Sequence, residues 1–210
     1  MSKYLSIINE YFETNDYLTV KEAAELGVPR HVLSNYSKDG NIERLSRGVY
    51  SLSNQFVDEY ELLQKKNKKI VYSYGTALYF HGLSDRVPNT IHASVPQGYN
   101  AKHIKDDYSE VVFHYVKKEL FNIGLTVIKS PQGGVISVYD IERCICDIIK
   151  DKNSSDIQIY QTALKGYFGL KDKNLRKLIK YSRVFKVESE IRTYIEVLTW
   201  NWLQNNQRVK

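Results

Sequence analysis

The 210-residue chain is poor in the residues that mark secreted, redox-active or membrane proteins: two cysteines, four prolines, one methionine and two tryptophans. Cys144 and Cys146 stand too close together to bridge usefully and lie in an apolar helical stretch, which excludes a disulfide framework and points to reduced core residues. No Cys or His pairs stand at zinc-ligand spacing, so no metal site is expected. Nowhere are there enough consecutive apolar residues to span a bilayer, and no charged leader with an apolar run and cleavage site opens the chain; a soluble, cytoplasmic protein with no membrane partner is expected. A phosphate-cradling glycine loop, a nucleophile elbow and a His-Glu zinc motif are also missing. That argues against familiar enzyme classes, and no cofactor and no catalytic residue is expected.

What is present is a compact cassette over residues 19–52. Thr19 and Glu22 form a capping box, in which each side chain satisfies a free amide at the other's position. The helix so opened runs from about Val20 to Leu26. Gly27 supplies the left-handed residue that ends it, and Pro29 sits where a first-turn proline costs no hydrogen bond. A turn of about three residues forces the next helix to cross steeply, as a helix-turn-helix requires. On that helix Val32, Leu33 and Tyr36 face inward, whereas Arg30, Ser34 and Lys38 form one outward row and His31 and Asn35 another. These are groups that read DNA: Arg pairs with guanine, Asn with adenine, and Ser with base edges or phosphate. Gly40 closes the helix. Residues 42–45 then pair with 49–52 across Ser46, Arg47 and Gly48, a hairpin whose glycine takes the left-handed position. Arg44 and Arg47 project from this wing towards phosphates or the minor groove. Ahead of the cassette, Tyr4, Ile7, Ile8, Tyr11 and Phe12 recur at helical spacing and cover it with an amphipathic helix over residues 3–13. The order is that of a winged helix-turn-helix. Winged helices also serve as protein-docking modules, and the exposed polar set weighs towards DNA.

The net charge of +6 suggests a polyanionic partner, but the surplus is unevenly placed. Residues 1–52 carry 6 basic and 7 acidic side chains, residues 53–69 carry 4 and 3, residues 70–150 carry 8 and 8, and residues 151–210 carry 12 and 6. The winged helix therefore has a net charge of −1, and phosphate attraction there is local.

The pattern divides into a winged helix over residues 1–54, a connecting helix or linker over 55–69, and a C-terminal domain over 70–210. The last opens with Ser73 as a cap and a helix over residues 74–82. Strand-like runs follow at 90–95, 110–116, 125–130 and 134–138. Helices then cover about 139–150, 156–168, 172–183 and 187–203. The fold class expected is α+β: a winged helix-turn-helix, then a small, mainly antiparallel sheet with a run of helices.

Two constellations in the second domain bear on chemistry. Asp140, Arg143 and Asp147 are three and four residues apart, hence on one helical face, where an arginine between two carboxylates makes a structural ion-pair ladder. The alternative is a metal-dependent nuclease or nucleotide-modifying enzyme, aimed by the winged helix and using Asp140, Glu142 and Asp147. The other constellation is a basic stripe of Lys173, Arg176, Lys177, Lys180 and Arg183, which either contacts phosphates or is a solvated surface. The five histidines are scattered and suggest no ligand set.

Three blocks in order and at this spacing resemble the AbiEi family of antitoxins and transcriptional regulators. They are the wing run from Leu45 to Tyr50 (LSRGVY), the segment from Tyr72 to Leu83 (YSYGTALYFHGL), and Val138 to Arg143 (VYDIER) with Asp147. The resemblance spans about residues 3–200. It implies a bacterial type IV toxin-antitoxin protein of phage abortive infection, whose N-terminal domain represses its own operon by binding repeats in double-stranded promoter DNA. It further implies a C-terminal domain that counteracts a nucleotidyltransferase-like toxin of the AbiEii type without a stable complex. No heptad or exposed apolar helix face asks for a partner copy, so a monomer that binds DNA cooperatively is expected.

Overall fold

The computed structural model describes residues 3–53, 57–84, 86–152 and 156–207, with backbone only at 103, 106, 107 and 199–207. By its internal contacts the chain divides into two units, Met1–Lys66 and Asn67–Lys210.

The first unit contains α1 (Lys3–Phe12), β1 (Leu18–Thr19), α2 (Val20–Glu25), α3 (Arg30–Lys38), β2 (Ile42–Ser46), β3 (Val49–Leu52) and α4 (Glu59–Lys66). Both arms of the capping box form: the Thr19 hydroxyl accepts from the Glu22 amide at 3.1 Å, and the Thr19 amide donates to Glu22 Oε2 at 2.8 Å. Gly27 and Gly40, both at φ 75°, end α2 and α3 in the left-handed region that an L side chain rarely adopts. Ile8, Phe12, Leu18, Ala23, Val28, Leu33, Ile42 and Tyr50 share one apolar core.

β2 and β3 pair antiparallel, Ile42 opposite Leu52 and Arg44 opposite Tyr50, with a bulge between Arg44 and Ser46. β1 adds a third strand on the other side of β3. Two residues carry no period, so this strand has no signature in the sequence.

The segment 55–69, read as a connector, contributes α4 to the first unit. Asp58 Oδ1 accepts from the Tyr60 and Glu61 amides and so caps α4. The buried Tyr17 hydroxyl donates to the Asp58 carbonyl and accepts from the Asp58 amide. Leu62 packs with Tyr17 and Val49. Residues 54–56, where the first boundary was placed, lie outside the described residues.

The second unit runs β4 (Val71–Tyr72), α5 (Tyr74–Phe80), β5 (Ile91–Pro96), α6 (Lys102–Asp107), β6 (Val111–Val116), α7 (Lys118–Phe121), β7 (Leu125–Lys129), β8 (Val135–Tyr139), α8 (Ile141–Lys150), α9 (Ile157–Gly169), α10 (Leu175–Phe185) and α11 (Glu188–Gln207). The sheet order is β6-β5-β4-β8-β7. Where the strand runs suggested a mainly antiparallel sheet, antiparallel pairs β4–β5 and β7–β8 are joined by parallel pairs β4–β8 and β5–β6. For β5 and β6 the reason is α6, which lies between them as the crossover that parallel neighbours need. Its only buried residue with a described side chain is Ile104, too little for a period to register. α8 packs against α5, α9 and α10, and every residue from Glu142 to Ile149 is buried.

Candidate nucleic-acid interface and the buried charge centre

In the first unit the apolar side of α3 is spoken for. Val32 and Leu33 are buried and Tyr36 packs against the same core. That fixes the outward direction of the remaining side chains. Arg30, His31, Ser34, Asn35 and Lys38 are all exposed, as are Arg44 and Arg47 on the wing. Gly48, at φ 82°, turns the hairpin, and Arg44 Nε donates to the Ser46 carbonyl at 3.3 Å within β2. Seven polar or basic groups thus stand on one helix and one hairpin, available for hydrogen bonding.

The second unit treats its charges differently. Arg143 is 2% exposed. Its Nε donates to both carboxylate oxygens of Asp147 at 2.9 Å, and its Nη1 donates to the carbonyls of Leu120 and Ile123. The guanidinium lies 4.2 Å from the Tyr139 ring centre and 4.0 Å from that of Phe185. An ion pair, hydrogen bonds and cation–π contacts therefore all hold the buried guanidinium. Burial pushes the Asp147 carboxyl up to about 6 against the pull of Arg143.

Asp140 is not the third rung of the expected ladder. Its Oδ1 accepts from the Arg143 backbone amide as the cap of α8, while its Oδ2 takes the Tyr181 hydroxyl and sits 2.9 Å from Lys177 Nζ. Lys177 also reaches Glu142 at 3.0 Å. Burial of Lys177 works against its charge, but hydrogen bonds to Asp140 and Glu142 outweigh it and hold the ammonium well above its ordinary pKa. Gly124 makes this possible. At φ 79°, a Cβ there would lie 2.7 Å from Arg143 Cβ, and its carbonyl accepts from the Asp140 amide.

These distances revise two expectations. Lys177, grouped with the basic stripe, is spent between two carboxylates rather than offered outward, because α10 packs on α8 with that side chain inward. Arg183 bonds Glu188 at 3.2 Å, and Lys173 Nζ donates to the Leu170 carbonyl. Arg176 and Lys180 remain exposed with no salt bridge among the described residues. Nor do Asp140, Glu142 and Asp147 converge as a metal site would need: an ammonium stands between the first two, and a guanidinium holds the third. No group of three metal-ligating side chains occurs among the described residues.

One set of residues escaped the sequence altogether. The register of β5 on β6, with Ser94 opposite His114, brings His92 Nδ1 within 2.9 Å of His114 Nε2. Tyr74 stacks on His114 at 3.8 Å between ring centres, and its hydroxyl donates to Asp151 Oδ2 at 2.6 Å. Tyr74 has φ 49°, a conformation that costs a bulky residue on the order of 1–3 kcal/mol. Burial, with His92 beside it, drives the His114 pKa down to about 4, and burial also lowers that of His92. Histidines 22 residues apart give no signal until two strands lie parallel in this register.

Residues 6–53 match the model of a family described as transcriptional regulator, AbiEi antitoxin. No curated protein matches the chain. Among solved structures, the crystal structure of RV2827C protein from Mycobacterium tuberculosis is similar, at 14% identity and a TM-score of 0.59 over 95% of this chain and 82% of that one. At that identity the likeness speaks to the fold alone. No helix among the described residues is long and apolar enough to cross a membrane. The family that the three sequence blocks resemble is thus the one that residues 6–53 match, the transcriptional regulators of the AbiEi antitoxin kind.

Proposed function

We propose that the protein is a non-enzymatic, cytoplasmic repressor and antitoxin. The first unit binds repeats in the promoter of its own operon, with Arg30, His31, Ser34, Asn35 and Lys38 entering the major groove and Arg44 and Arg47 holding the flanking backbone. The observation that carries this is the outward row of α3, where every predicted base-reading group is exposed on a helix whose opposite side is packed. The family of residues 6–53 supports it.

The second unit carries the antitoxic task, opposing a nucleotidyltransferase-like toxin without a stable complex. In the basic stripe, Arg176 and Lys180 are the groups left to touch phosphate. The protein is a monomer in solution and binds neighbouring repeats cooperatively.

The test is an anisotropy titration of the full chain against the DNA upstream of its operon at several salt concentrations. Sequence-preferring binding is expected, and its absence at low salt removes the repressor reading. Each phosphate contact contributes a slope of about 0.9 in log affinity against log salt. Replacing Arg176 and Lys180 by alanine lowers that slope if the stripe meets DNA, and leaves it unchanged if the stripe is only a solvated surface. Growth rescue on co-expression with the neighbouring toxin tests the second task.

A further inference from the structure

The second unit holds a cleft of about 690 Å³ on which several unusual features converge. Among the described residues, the non-glycine residues with left-handed backbone are Tyr74 and Lys186, and both line it. Such conformations persist only where the surroundings hold them, and they gather at binding sites. His114 and Asp147, both moved from their ordinary pKa by burial, line the same cleft, as perturbed groups at functional sites commonly do.

The lining has two chemistries. Val116, Leu120, Val184 and Phe185 supply apolar surface, and Tyr115 brings an aromatic ring that is 54% exposed. Lys117, Lys150 and Lys186 supply charge. They come from three separate places: ahead of α7, the last residue of α8, and just past α10. All three are exposed, and none makes a salt bridge among the described residues. The acidic groups of the lining are already engaged, Asp147 by Arg143 and Asp151 by the Tyr74 hydroxyl. The cleft therefore presents net positive charge beside an open aromatic face.

We propose that this cleft binds a free nucleotide, with its phosphates against Lys117, Lys150 and Lys186 and its base against Tyr115. A single small anion would leave most of this volume and the aromatic face unused, whereas clefts of this size take ring-bearing organic ligands. Lysines set around the cleft from three places in the chain suit a chain of phosphates, and base stacking on an exposed aromatic tolerates any base. The inference concerns the second unit alone and does not rest on DNA binding by the first.

The experiment is calorimetric titration of the full chain with ATP, GTP, adenosine and pyrophosphate, alongside the DNA titration above. Both triphosphates are expected to bind and to raise the melting midpoint, and adenosine and pyrophosphate to bind at least about tenfold more weakly. Tyr115→Ala should weaken ATP by about fivefold to a hundredfold, the range for losing one stacked base. The triple variant Lys117→Ala, Lys150→Ala, Lys186→Ala should weaken it by at least about tenfold. All four side chains are exposed, so both variants should melt like the parent without ligand. Failure of the parent to bind either triphosphate at millimolar concentration overturns the proposal. So does pyrophosphate binding as tightly as ATP, or unchanged affinity in the triple variant. Loss of nucleotide binding alone, with DNA binding intact, leaves the repressor reading standing.

Discussion

Arg30 in the first unit is exposed and makes no ion pair among the described residues, whereas Arg143 in the second is 2% exposed and donates to a carboxylate and two carbonyls. The same side chain serves opposite ends. In the first unit the fold is carried by the apolar core under α1, α2 and α3, and the polar groups of α3 stay exposed. In the second unit charge is part of the interior, where it is tolerable only as a complete set. Exposed pairs contribute little to folding, while a buried charge that loses its counterpart is strongly destabilising. Residues of one type are therefore part of the folded interior in one unit and exposed side chains in the other.

The largest expected effect attacks this contrast directly. Arg143→Ala leaves Asp147 buried and unpaired and should cost about 3–5 kcal/mol in a urea melt. Replacing Arg143 by Met and Asp147 by Leu together should cost much less than the sum of the single changes; an additive loss would mean that the two side chains do not depend on each other.

Glycines sharpen the comparison at the level of the backbone. Gly124→Ala combines a left-handed conformation with a Cβ 2.7 Å from Arg143 Cβ, and should cost about 3 kcal/mol. Gly27→Ala meets nothing within 4 Å and should cost only the conformational share, about 1 kcal/mol. Equal melting shifts for the two would show that the close approach at Gly124 does not matter.

pH separates the units as well. The His114 pKa falls from 6.5 unfolded to about 4 folded, so its contribution is present above pH 6.5 and is lost as the pH falls towards 4. At 1.36 kcal/mol per pKa unit that is about 3 kcal/mol. Asp147, raised from 3.8 to about 6, works the other way and offsets part of the loss as it gains its proton. His114→Phe keeps a ring beside Tyr74 and should remove the histidine share of the acid loss; an unchanged stability profile between pH 6.5 and 4 would assign that loss elsewhere.

The smallest effects on the fold belong to α3. Asn35→Ala should leave the melting curve unchanged and weaken specific DNA by about 1–3 kcal/mol, with relaxed preference at one base pair. An equal loss on random DNA would make Asn35 a phosphate contact.

How much of this was legible follows from the range of each signal. The capping box, Gly27, Gly40 and the wing turn act over a few residues, and α1, α2, α3 and the hairpin came through close to their bounds. β1 and β4 are two residues each and exist only through partners far along the chain. In the charge centre, the spacing of Arg143 and Asp147 was enough to pair them. The partners of Lys177 were not readable, since they depend on how α10 lies against α8. The His92–His114 pair needed a parallel register that the strand runs gave no reason to expect.

Asp140 has a consequence for the order in which the second unit opens. One carboxylate caps α8, holds the Tyr181 hydroxyl and sits against the ammonium of Lys177 on α10. The first turn of α8 cannot fray without releasing α10 at the same time, so the two helices should open as one cooperative segment. In native-state hydrogen exchange, the amides of α8 and α10 should therefore report a shared opening free energy close to that of global unfolding. Asp140→Asn, which removes the charge and keeps the cap, should let α10 exchange earlier than α8.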